Sequence, residues 1–344
     1  MKNINFYELL IDDYHHANFN VNTISSFDQI FHYNEIKFFC TDRHANECLS
    51  IANYSNIDTK KIKFSIISHF KRFKFLIILM FLKQLKKCEH HVILSVDTIY
   101  FSLLLLSSIL LKLNLIIYCH SLVSIFENNK LHRRILMLFI SLTSIMSAVK
   151  LYKSNITVVF QKNSSTESLL FLSLERIAEF KCSIIHSIVY NIKLQSNPIH
   201  KRRFLFLGGP RKDKNFNKFT IASRECNNAS LIITSRPEDF DHSNKIYYTV
   251  NPIFTEITNK DIVFLYYDFS HYKFIESATL IEAISAGAWI YTSKKFLNCT
   301  GLSEFCSEGF RLIHLDAETI LVKFSNEIIA KYKAFILTET KTLI

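Results

Sequence analysis

Two stretches carry residues whose types and spacing suit the grip of an activated phosphate and a polyol. In "KRRFLFLGGPRKDKNFNKF" (201–219), a strand-like run from Arg203 to Leu207 ends in Gly208, Gly209 and Pro210. Arg211, Lys212 and Lys214 follow, and a helix is predicted from about Phe216. Glycine at a strand end lets backbone N–H groups approach an anion, the cations add charge, and a helix start adds its dipole. A tight turn with a solvated basic face accounts for the same residues. In "ESATLIEAISAGAWIYTS" (276–293), Glu276 and Glu282 flank Ser277, which is placed to cap a helix from about Ala278 to Ala286 ended by Gly287. Amides at such a start hold phosphate, and carboxylates accept hydrogen bonds from sugar or ribose hydroxyls. An amphipathic helix with acids at its positive end explains Glu276 equally well. It explains Glu282 less well, because Ile281, Ala283 and Ile284 around it read as buried.

The elements that must position these residues are parallel strands alternating with helices. Strand-like runs recur as "FYELLI", "IKFFC", "HVILSV", "LNLIIYC", "ITVVFQ" and "SIIHSIV", then "RFLFLGG", "SLIITS", "KIYYTV", "DIVFLYY" and "AWIYTS". Near-continuous apolar strands separated by helices predict sheets buried on both faces. The chain has 344 residues, more than one core comfortably organises, and 49% of them are hydrophobic. All five glycines and all four prolines lie beyond residue 197. This step coincides with the polar stretch "QSNPIHKRR" and sets the expected boundary between two Rossmann-like domains. It also excludes glycine-dependent dinucleotide and Walker A loops from the first half. Ligands are expected at the carboxyl ends of the strands, in a cleft between facing domains.

The formal charge of +11 predicts an acidic partner, whether a phosphate-bearing substrate, an anionic membrane surface or nucleic acid. Only the charge supports nucleic acid; no recognised binding module is present, so no nucleic-acid partner is expected. Eight scattered cysteines with no C-x-x-C pair argue against a zinc site and for reduced thiols in the cytoplasm. The N-terminal run, broken by Glu8, Asp12 and Asp13, reads as a strand and not a signal peptide. Residues 98–119 read as a buried helix (about 99–111) and a strand rather than a membrane span, and 133–152 is ambiguous in the same way. Residues 60–87 hold nine Lys/Arg and no acid, interleaved with apolar residues. That pattern fits either an anionic lipid surface or a solvated helix face. The triplet Asp239-Phe-Asp241 is a weak candidate for a metal–diphosphate site.

The order of a glycine-rich strand end, cations and a glutamate-flanked helix resembles the C-terminal domain of GT-B glycosyltransferases, in particular the Glu-x7-Glu group that builds bacterial surface polysaccharides. "LGGPRKDKN" is similar to the family's Gly-Arg…Lys-Gly/Asn element, with Gly209 where arginine is usual. "IEAISAGAWIYTS" is similar to the family's "EAMAxG" run, but five residues rather than seven separate the two glutamates. The likeness extends weakly upstream, where "LNLIIYCHSL" resembles the strand that ends in a histidine near the sugar and points to His120.

The resemblance implies an α/β chain of two Rossmann-like domains with parallel sheets facing across a cleft. Residues 1–197 would form the acceptor side, 198–322 the nucleotide-sugar-binding domain, and 323–344 a C-terminal helix packing back on the first. The implied donor is a nucleotide diphosphate sugar, with no metal or other cofactor required. Gly208, Gly209, Arg211, Lys214, Ser277 and Glu282 would hold it, with Glu276 at the sugar. His120 and the loop Asp12–His16 would line the acceptor, with Asp13 or His16 as general base, unless that loop is a polar loop with an incidental histidine pair. A lipid-linked glycan acceptor would keep the enzyme at the inner face of the cytoplasmic membrane. A non-catalytic scaffold with a degenerate transferase fold is the alternative.

Overall fold

The computed structural model describes residues 3–11, 16–67, 90–111, 113–120, 122–148, 155–161, 166–185, 202–208, 212–224, 229–233, 245–248, 257–268, 272–273, 277–302 and 310–344. The chain divides into two compact units, residues 1–186 with 337–344, and residues 187–336.

The first unit holds β1 (Asn3–Tyr7), α1 (Ala17–Phe31), β2 (Glu35–Cys40), α2 (Asp42–Tyr54), β3 (Ile62–Ile66), β4 (His90–Ile93), β5 (Asn114–Tyr118), β6 (Asn155–Phe160) and β7 (Lys181–Ile184). They form a parallel sheet in the order β3-β2-β1-β4-β5-β6-β7. The order reverses between β1 and β4, the place at whose carboxyl ends open α/β sheets take their ligands. Ile4, Phe6, Val92, Ile93, Leu115, Ile117, Val158 and Phe160 are buried, as strands covered on both faces require. Residues 98–111 form the expected helix, Thr98–Leu111, running into β5. The ambiguous stretch is also helical, over Lys130–Ala148.

The second unit holds β8 (Phe204–Leu207), β9 (Ala229–Ile233), β10 (Lys245–Tyr248), β11 (Ile262–Phe264), β12 (Trp289–Ser293), β13 (Phe310–His314) and β14 (Thr319–Phe324). The order is β10-β9-β8-β11-β12-β14-β13, with the reversal between β8 and β11. Strand alternation sorts β8 into two cores: Phe204 and Phe206 pack with Phe219, Phe264 and Tyr266, while Leu205 and Leu207 join the aliphatic cluster with Ile284, Ile290 and Val322.

Two expectations need correction here. The second sheet is not wholly parallel: β14 pairs antiparallel with both β12 and β13. The cause is a short β13–β14 connection, whose Asp316 carboxylate accepts from the Glu318 and Thr319 N–H groups at 2.7 and 2.6 Å; so short a link joins only antiparallel strands. Nor does the C-terminal helix begin at 323. Lys323 and Phe324 belong to β14, opposite Trp289 and Phe310 respectively, and the helix is Asn326–Lys341.

Candidate functional site

In the second unit the strand end after β8 turns at Gly208, whose φ of +78° is left-handed and open to glycine at little cost. A single 3-10 turn, Lys212–Lys214, and the helix Phe216–Ser223 follow. The Lys214 ammonium folds back over the glycine and donates to Leu207 O at 3.1 Å. A Cβ at position 208 would lie 3.0 Å from Lys214 Nζ, so a larger residue would push the ammonium aside by a few tenths of an ångström. Asn215, also left-handed, donates from Nδ2 to Tyr266 O at 2.7 Å, and Asp268 N–H donates to Asp213 O at 2.8 Å. These two bonds fasten the loop after β8 to the loop after β11, across the reversal of strand order.

Glu282 belongs to the helix Ala278–Ser285 that follows β11. Ser277 starts it, accepting from Leu280 N–H at 3.3 Å. Gly287, at φ +64°, ends it: Gly287 N–H donates to Ile284 O and Ala288 N–H to Ala283 O, at 2.9 and 3.0 Å. This is a Schellman closure of the last carbonyls. Leu280, Ile281, Ala283 and Ile284 are buried around the glutamate. Burial pushes the Glu282 carboxyl up from 4.5 to about 7, against the opposing pull of the Lys214 ammonium. The strand-end cation and the helical acid therefore act on each other inside one unit. Lys214 Nζ also lies 5.9 Å from the centre of the Tyr267 ring.

The first unit gathers a different set at its own reversal point. Glu8, just past β1, is fully buried. Leu10 and Ile11 N–H groups donate to its Oε1 at 3.3 Å each, Ser95 Oγ donates to the same oxygen, and Asn20 Nδ2 donates to Oε2 at 3.1 Å. Ser95 follows β4, so this acid bridges the two central strands. Desolvation raises its pKa, while Ser95, His44, Asn20 and Leu10 pull it down. His16, left-handed at φ 64° just before α1, places Nδ1 4.0 Å from Glu8 Oε2. Its ring centre lies 4.7 Å from that of His120, which follows β5. Phe19 meets His120 edge-on at 4.3 Å. Burial first, and then the neighbouring His16, lower the His120 pKa from 6.5 to about 3, although bonds to Gln161 and the Leu94 backbone oppose this. The ring is therefore neutral near pH 7, and its Nε2 is buried without a hydrogen-bond partner.

Of the residues singled out in the sequence, Lys214 lies over Gly208 and within electrostatic reach of Glu282 in one unit, and His16 meets His120 in the other. Ser277 caps its helix. Asp12, Asp13, His15, Gly209, Arg211, Glu276 and the 239–241 triplet lie outside the described residues, as do 68–87 of the basic stretch; Ile62–Ile66 near its start is strand β3. Sequence reasoning missed Glu8 as a site residue. The available signal was an acid set inside an otherwise apolar strand-end run. Among the described residues, no three His, Cys, Asp or Glu side chains group closely enough to hold a metal ion.

No family model and no curated protein sequence matches the chain. Solved structures resemble it at low identity. Sucrose-phosphate synthase from Thermosynechococcus elongatus aligns over 89% of this chain and 83% of its own, at 8% identity and a TM-score of 0.49. The α,α-trehalose 6-phosphate synthase from Burkholderia multivorans aligns over 89% and 86%, at 8% identity and 0.48. The UDP-GlcNAc 2-epimerase from Neisseria meningitidis, solved bound to UDP-GlcNAc, aligns over 84% and 82%, at 12% identity and 0.43.

Proposed function

We propose that the protein is a glycosyltransferase that moves a hexose-type sugar from a nucleotide diphosphate sugar to a hydroxyl of a lipid-linked glycan in bacterial surface-polysaccharide synthesis, working in the cytoplasm at the inner face of the membrane. The observation that carries this reading is the return of Lys214 to Leu207 O at the carboxyl end of β8, where the strand order reverses, within electrostatic reach of Glu282. Lys214 supplies positive charge where the departing diphosphate gains negative charge, the place where fixed charge lowers a barrier most. Gly208, Gly209 and Arg211 complete the diphosphate cradle, and no metal is needed where these cations serve. Glu282 accepts from the ribose hydroxyls, its high pKa relaxing as the hydroxyls replace lost water. Glu276 meets the sugar.

The first unit carries the acceptor. His16 takes the acceptor hydroxyl proton, steadied by the Glu8 carboxyl, or Asp13 does so from the same loop. His120 stays neutral and offers its unpartnered Nε2 to a hydroxyl. The competing reading, a scaffold with a degenerate transferase fold, draws on the five-residue glutamate spacing. Donor hydrolysis and transfer assays on the wild type and Glu282→Ala separate the two. The transferase reading requires turnover that the substitution lowers by at least about tenfold; a wild type inert toward every nucleotide sugar supports the scaffold.

A further inference from the structure

The helix Lys130–Ala148 is apolar on two opposite sides. On one, Leu136, Ile140 and Thr143 are buried against the first unit. On the other, Leu131, Leu138, Leu142 and Ile145 are 64%, 60%, 40% and 62% exposed. At the helical rotation of about 100° per residue these four fall within an arc of about 60°, along roughly 21 Å of axis. The helix is apolar enough overall to resemble a membrane span, yet its packed side fixes it to a folded unit, so the free side has to meet something while the helix lies flat.

Charge says what that is. Lys130, Arg133 and Arg134 begin the helix, and Lys150 and Lys153 follow it. Between Glu127 and Glu167 there are six Lys/Arg and no Asp or Glu. Lys130 and Arg134 are exposed and Arg133 is half-exposed. Arg134 and Lys130 border the leucine stripe on one side by the same rotation. An aliphatic stripe edged by cations, without a single acid over the whole segment, is the pattern of a helix lying in the plane of an anionic bilayer, with its apolar side below the headgroups. A second copy of this chain would set like charges against each other on the same stripe.

We propose that this outward face, Leu131–Leu138–Leu142–Ile145, docks the protein on an anionic lipid surface, with Lys130 and Arg134 at the phosphates. The inference rests on the proposed function for its reason to be at a membrane, a lipid-linked acceptor. Its test uses no sugar donor, so failure of either leaves the other distinguishable.

The full chain is mixed with vesicles of phosphatidylcholine alone, or with about one third phosphatidylglycerol, and binding is read by flotation. Leu138→Gln/Ile145→Gln and Lys130→Glu/Arg134→Glu are compared, with thermal melts to verify folding. These positions are at the surface, so both variants are expected to fold. The anionic vesicles bind the wild type, and each double variant lowers the partition coefficient by about tenfold or more. Wild-type binding falls as salt rises. The proposal is overturned if Leu138→Gln/Ile145→Gln binds as the wild type does, or if only charge reversal at Lys71, Arg72 and Lys74 abolishes binding. It is equally overturned if the wild type ignores vesicles and sediments as a dimer that the glutamine variant dissociates.

Discussion

The two units share one architectural plan and use it with opposite electrostatics. Each has a seven-stranded sheet whose order reverses beside an inner strand, β1 in one and β8 in the other, and each brings polar residues to the carboxyl ends of the strands at that reversal. In the first unit the residue just past the inner strand is an acid, Glu8, buried among a serine, asparagines and histidines. In the second the chain past the equivalent strand returns a cation, Lys214, to the strand's last carbonyl. An anionic donor suits the second arrangement. A neutral hydroxyl that must lose a proton suits the first, where neutral His120 and a buried carboxyl surround His16. Sheet order alone thus brings polar side chains to the same end of both sheets, and the residue following one strand sets the local charge there.

The largest effect should come from the way each unit holds its buried acid. Asp261 is fully buried and takes hydrogen bonds from Arg203 Nε and Nη2, at 3.1 and 2.8 Å, and from Thr258 N–H and Oγ, at 2.8 and 2.9 Å. Asp261→Asn removes the buried carboxylate that Arg203 and Thr258 bond and should cost about 3–5 kcal/mol in urea unfolding. Glu8 is held by neutral donors, and Glu8→Gln should cost only about 1–2 kcal/mol. Equal losses would mean that the first unit stores a full ion at Glu8 and that the contrast is false.

The next contrast is in pH. Glu282 is raised from 4.5 to about 7. Between those values the unfolded chain has lost this proton and the folded one keeps it. Stability therefore falls as pH rises through the window, by on the order of 3 kcal/mol, and levels off above it. His120 is lowered from 6.5 to about 3. Below pH 6.5 the unfolded chain takes up a proton that the folded one refuses, so stability falls with acid, by about 2 kcal/mol at pH 5. Urea titrations at pH 5, 6.5 and 8 should show Glu282→Gln removing the first slope only and His120→Asn the second only. Slopes unchanged by either substitution would break the comparison.

How much of this could be read beforehand depended on how local the cause was. The apolar strands, the turn at Gly208 and the cap at Ser277 are set by neighbours within a few residues, and the sequence displays them. The β13–β14 hairpin escaped because β13 is largely exposed and carries Arg311 and His314, so no apolar run marks it. Glu8 escaped because its partners are remote: Ser95 is 87 positions away, and only sheet pairing brings β4 beside β1. Arg203 and Asp261, 58 positions apart, were invisible for the same reason. The influence of Lys214 on Glu282 joins residues 68 positions apart in sequence, so spacing did not display it.

The smallest effect sharpens the second unit's side of the comparison. Gly208→Ala adds a left-handed alanine and a Cβ against Lys214 Nζ. It should cost about 1–2 kcal/mol of stability and raise KM for the donor more than it lowers kcat, because the ammonium is displaced rather than lost. A pure stability loss with unchanged KM would detach the glycine from the donor site.

The most direct measurement is the binding of a panel of nucleotide diphosphate sugars to the intact protein, by thermal shift and calorimetry, with Lys214→Met alongside. One sugar nucleotide should stabilise the wild type by about 2.7 kcal/mol at a hundred times its dissociation constant, and the methionine variant should bind it at least about tenfold more weakly while melting normally on its own. If no sugar nucleotide shifts the wild type, or if Lys214→Met binds the active one equally well, the donor site is not where the second unit's cation and acid meet.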